Sequence, residues 1–159
     1  MPFIDGRTIP EVLMRPGIHG RFLAHKDLGA SRVSLLMNRA EPGAAVPFHM
    51  HQVEETVVIF EGRIWVQLGE ERRVIGPNDT VIIPPMTPHA WGTEGTEEAR
   101  MMWVYGGPDP FADSTYFDGA LQNAGAHRLS QAEPRALTNA RAASSALPAT
   151  SRYKAMTWP

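Results

Sequence analysis

Residues 43–62 read GAAVPFHMHQVEETVVIFEG. Within this stretch His49, His51 and Glu55 stand at even offsets from one another. Side chains alternate along a strand, so all three can point to one face. Val53, Val57 and Ile59 share that parity, which makes it the inward, apolar face. Two imidazoles and a carboxylate on an apolar wall are costly to bury without partners. A divalent first-row cation offsets that cost, because neutral imidazole nitrogen and carboxylate oxygen suit it. Glu54 has the opposite parity and reads as a solvated residue. A fourth ligand is expected from His89, which follows the rigid turn Pro84-Pro85-Met86-Thr87-Pro88.

Outward from this stretch the chain reads as short strands broken by turn residues. Strands are expected over residues 32–40, 56–60, 64–68, 73–75, 80–83, 89–91 and 99–105. Glu41-Pro42-Gly43, Glu61-Gly62, Gly76-Pro77-Asn78-Asp79 and Gly106-Gly107-Pro108 supply the corners. No helical period lies between them, so the fold class is all-β, a sandwich or barrel. Residues 31–107 form the expected barrel. Residues 1–30 form an N-terminal extension in which Phe22, Leu23 and Leu28 suggest an outer strand. Residues 108–159 form a C-terminal extension. In it Asp109-Pro110 can cap one helical turn, and Ser130-x-x-Glu133 has capping-box spacing before a short helix at 135–146. The remainder of that extension is rich in Ala, Ser, Asn and Arg, and reads as flexible.

The motif pattern is similar to that of the cupin superfamily. Gly43-x5-His49-x-His51-x3-Glu55-x6-Gly62 matches its first motif at every fixed position. The second motif appears as Asn78-x5-Pro84-x-Met86-x2-His89-x3-Thr93, with Asn78, Met86 and Thr93 standing where the family has Gly, Gly and Asn. Asn tolerates a left-handed backbone; at Met86 a positive φ would cost roughly 1–2 kcal/mol. The resemblance implies a jelly-roll β-barrel, the double-stranded β-helix, with a metal inside one end. It also implies a homodimer and one divalent transition metal on His49, His51, Glu55 and His89. Fe(II) is favoured, with Mn, Ni or Zn as alternatives.

Composition narrows the chemistry. The 159 residues include no cysteine, so thiolate ligands, iron–sulfur clusters, disulfides and thiol nucleophiles are excluded. A net charge of -2 carries no nucleic-acid footprint. Asp5, Arg7, Glu11 and Arg15 interrupt the first residues, and no apolar run is long enough to span a bilayer. No nucleic-acid or membrane partner and a cytoplasmic location are therefore expected. His19, His25 and His127 lack sequence partners and read as ordinary histidines.

The expected partner is a small-molecule substrate. Trp91 shares the parity of His89. Met101, Trp103 and Tyr105 form one face of the last strand, Met102 and Val104 the other, and parity alone does not choose between them. Trp91, Trp103, Met101, Tyr105 and Met37 are the expected substrate lining, with Arg39 as an anion anchor. Such a lining suits a small, partly apolar substrate. The expected activity is that of an Fe(II) dioxygenase. The alternatives are a non-redox Lewis-acid enzyme (isomerase, cyclase, lyase or decarboxylase) and a non-catalytic ligand-binding or sensor protein.

Overall fold

The computed structural model describes residues 3–112 and 114–117. The expected helix at 135–146 and His127 lie outside the described residues. Among the described residues eleven strands run in chain order: β1 (Val12–Arg15), β2 (Ile18–Ala24), β3 (Ser34–Ala40), β4 (Ala45–Met50), β5 (Glu55–Glu61), β6 (Ile64–Leu68), β7 (Glu71–Ile75), β8 (Thr80–Ile83), β9 (His89–Thr93), β10 (Ala99–Tyr105) and β11 (Thr115–Tyr116). Two short 3-10 turns are the only helical elements among the described residues. Asp109-Pro110 opens a plain turn instead of the expected helical one.

The strands form two antiparallel sheets. One has the order β1-β2-β3-β10-β5-β8, the other β11-β4-β9-β6-β7. From β3 onward the chain changes sheet at every connection except the β6–β7 hairpin, which gives the jelly-roll winding. The N-terminal extension does more than add one outer strand, since β1 and β2 form a hairpin on its own sheet.

The inner faces stack in layers that the register defines. Glu55 lies opposite both Tyr105 and Ile83, Val57 opposite Trp103, and Ile59 opposite Met101. On the facing sheet His89 lies opposite His49 and Leu68, and Trp91 opposite Val46 and Val66. Polar donors thus crowd one end of the barrel, and β-branched and aromatic side chains fill the rest. Val57, Ile59, Ile64, Ile83, Met101 and Trp103 are at most 1% exposed. Burial at this density is the dominant stabilising term.

The corners explain the turn chemistry. Asn78 has φ 73° and Met86 has φ 61°. Both occupy the third position of a turn whose second residue is proline, where a type II turn requires positive φ. Asp79 N–H donates to the Gly76 carbonyl at 2.9 Å, and Thr87 N–H to that of Pro84 at 3.3 Å. Thr93, where the motif pattern has Asn, donates its hydroxyl to the Glu41 carbonyl at 3.0 Å and so ties β9 to the β3–β4 turn.

Candidate metal centre

His49 lies on β4, His51 in the crossing loop after it, Glu55 opens β5 and His89 opens β9. One ligand atom from each lies within 4.8 Å of the others. The even offsets of His49, His51 and Glu55 do select the right residues, but not along one strand. The chain leaves one sheet after His49 and enters the other at Glu55, and both inner faces look into the same interior. All four residues are buried, the most exposed being His49 at 3%. Glu54 is exposed, as its parity indicates.

Each imidazole is held through Nδ1. His49 Nδ1–H donates to the Pro47 carbonyl at 2.8 Å, His51 Nδ1–H to Pro110 at 3.0 Å, and His89 Nδ1–H to Thr87 at 2.9 Å. A carbonyl only accepts, so each Nδ1 carries the proton and each Nε2 presents a lone pair. His51 Nε2 and His89 Nε2 lie 3.5 Å and 3.0 Å from Glu55 Oε2. Those three atoms are buried without a hydrogen-bond partner. Buried polar atoms without partners are rare and costly. A divalent cation satisfies them together, and three nitrogens with one oxygen form a donor set suited to first-row metals. The residues present fit the metal.

The electrostatics agree. Burial, reinforced by the neighbouring His89, lowers the His49 pKa to about 2, so its ring is neutral at ordinary pH. Burial also lowers that of His51, against the opposing pull of Glu55. Tyr105 is raised well above the usual phenol value, first by burial and then by the Glu55 charge and hydrogen bonding, and it keeps its proton.

The expected lining residues divide. Tyr105 lies edge-on to the His51 ring at a centroid distance of 5.4 Å. Trp103 and Trp91 pack together at 5.3 Å, one ladder step below the ligands. Met101 lies a further step down. Met37 and Arg39 do not line the interior, which corrects the expectation for both. The inward parity of β3 belongs to Ser34, Leu36, Asn38 and Ala40. Arg39 instead pairs on the outside with Glu98 at 2.8 Å and Glu11 at 3.3 Å, so it has carboxylate partners of its own. His19 sits by Glu41, and His25 by Asp27 and Asp109; neither belongs to the four-residue cluster.

Sequence reasoning missed the residues that close the mouth. Tyr116 stacks on His49 at 5.2 Å and 14°, Phe111 lies 6.5 Å from the His51 ring, and the Ser114 hydroxyl lies 2.9 Å from His51 Nδ1. No spacing ties this segment to the histidines, so nothing in the motifs could have found it.

A family model described as a cupin domain matches residues 37–105. Among solved structures, the chain is similar to the polyketide cyclase RemF from Streptomyces resistomycificus at 22% identity, over 66% of this chain and 78% of that one, with a TM-score of 0.59. It is similar to KdgF from Halomonas sp. at 19% identity, over 67% and 94%, with a TM-score of 0.58. It is also similar to oxalate decarboxylase from Bacillus subtilis at 19% identity and a TM-score of 0.61, over 69% of this chain but only 30% of that one. No curated protein matches the chain. With the first motif complete, a cupin-domain match across residues 37–105 and four buried residues that could hold a metal at one end of a jelly roll, this part of the chain has the sequence pattern and fold of a cupin domain with a candidate metal site.

Proposed function

We propose that this chain is a mononuclear metal-dependent enzyme acting on a small, partly apolar organic molecule, with Fe(II) and dioxygen as its working pair. One observation carries the reading: three Nε2 lone pairs and one carboxylate oxygen converge in a buried site, and three of those atoms lack any other partner. When bound, the metal supplies Lewis acidity at the positions its four protein donors leave free and, as Fe(II), electrons for oxygen chemistry.

The chain's own residues supply the rest. Pro47, Pro110 and Thr87 fix the imidazole tautomers through their carbonyls. Tyr105 holds its proton on the hydroxyl beside Glu55. Trp91, Trp103 and Met101 form a packed apolar floor beneath the ligands that excludes water. Such a closed, apolar surround favours oxygen chemistry, because it shields reactive species from side reactions with water.

The second reading is non-redox chemistry with Mn, Ni or Zn, in which the metal polarises a carbonyl. The activities of two similar structures support it, a polyketide cyclase and an oxalate decarboxylase, and the latter is described with Mn(II) centres. Metal analysis of protein purified without added metal separates the readings when paired with oxygen uptake on a panel of dicarbonyls, catechols and thiols. Iron near one per chain with substrate-dependent oxygen uptake is expected, and His51→Ala is expected to lose the metal. Manganese, nickel or zinc without oxygen uptake selects the second reading. Full metal content in His51→Ala overturns the site itself.

A further inference from the structure

The three carbonyls that orient the imidazoles are not alike. Pro47 and Thr87 lie two residues before His49 and His89, on backbone the barrel requires in any case. His51 stands in the crossing loop, and its partners come from far along the chain. Pro110 is 59 residues away and Ser114 is 63. Both lie beyond residue 105, where the family match ends.

The segment that carries them is anchored at both ends. Lys26 N–H donates to the Pro108 carbonyl at 2.9 Å, and the Lys26 ammonium pairs with Asp109. At the far end β11 pairs with β4, and Phe117 N–H donates to the Phe48 carbonyl at 2.8 Å. Between these anchors the segment crosses the ligand end of the barrel. Phe111 and Tyr116 lie against the His51 and His49 rings.

We infer that Ser114 is a positioning residue for His51, and that metal binding and the docking of residues 108–112 and 114–117 are coupled. The inference rests on the metal-enzyme reading above. Ser114 donates its hydroxyl hydrogen to the Pro110 carbonyl at 2.9 Å and accepts from His51 Nδ1 at 2.9 Å. Acceptors on that side keep the proton on Nδ1 and the lone pair on Nε2. Without them the ring can carry its proton on Nε2 and donate to Glu55 Oε2, 3.5 Å away, which closes the site against a cation. Partners of this kind typically change metal affinity about 10–100-fold when removed. The coupling is reciprocal by linkage, so a bound metal holds the segment down by the factor that the segment adds to metal affinity.

Zn(II) titrated against a competing chelator, and hydrogen exchange of the amides between 109 and 117 with and without Zn(II), test this on the full chain. Zn(II) is expected to slow exchange in that segment about 10-fold. Ser114→Ala is expected to weaken Zn(II) binding about 10-fold and shrink the slowing, with the metal-free melting temperature unchanged, and Ser114→Thr is expected to restore both. Wild-type affinity in Ser114→Ala, or exchange indifferent to Zn(II) in a chain that binds it, overturns the coupling and leaves the metal-enzyme reading standing. A wild-type chain that binds no Zn(II) overturns both.

Discussion

At Met86 a single side chain sits in a conformation that costs energy. The turn from Pro84 to Thr87 needs positive φ at its third residue, and Met86 supplies it at 61°. A Cβ in that region costs about 1–2 kcal/mol. The turn is nonetheless required, since Met86 N–H donates to the His51 carbonyl at 2.7 Å and so ties the two ligand-bearing loops together. The side chain itself is 51% exposed and packs little. Met86→Gly is therefore expected to stabilise the chain by about 1 kcal/mol in chemical denaturation, with metal content unchanged. Equal or lower stability would show that the methionine packs well enough to offset its backbone. Asn78, at the matching position of the other turn with φ 73°, has a short polar side chain suited to that region and calls for no such repair.

Among the elements, the clearest periods were the most legible. The strands expected at 64–68, 80–83 and 99–105 coincide with β6, β8 and β10. Missing from expectation were β4, β1 and β11. β4 carries Pro47 and an irregular register between Val46 and His49, which hides the alternation. β1 and β11 are four and two residues long, too short to show a period. The inward face of β10 is settled by its neighbours, as Glu55 and Val57 set Tyr105 and Trp103 inside. Nothing local to Met37 or Arg39 shows which way β3 faces, so parity could not place them. The β5–β6 corner makes a strict demand. Gly62 has φ 69°, and a Cβ there would collide with the Glu98 carbonyl and sit 2.8 Å from Ala99 Cα. Gly62→Ala is expected to cost about 2 kcal/mol or more, read as a lower denaturation midpoint with an unchanged slope. A change below about 0.5 kcal/mol would mean the corner relaxes freely.

For the whole molecule, the outer face of the six-stranded sheet stands out. Leu35, Met37, Val58, Ile82, Met102 and Val104 all point outward on adjacent strands. Strands apolar on both faces belong between two layers. We propose that a second copy of the chain covers this face. Its rim mixes Arg39 and Arg100 with Glu61 and Glu98, so a two-fold-related copy meets opposite charge. The described chain ends at Phe117 beside β4, on the other sheet. Sedimentation is expected to show a dimer, and Met102→Glu a monomer that keeps its metal. A monomeric wild type overturns the pairing. The barrel was legible because its corners and ligands follow fixed spacing. The closing segment was not, because its contacts to His51 reach across 59 and 63 residues of sequence.

His49 and His89 belong to one sheet and Glu55 to the other. A cation held among them would be a clasp between two layers that meet largely through apolar side chains. Losing it leaves buried donors unpaired and opens the route to unfolding. Metal supply would then set how long each molecule survives proteolysis in the cell, so starvation for the ion would deplete the protein as well as silence it.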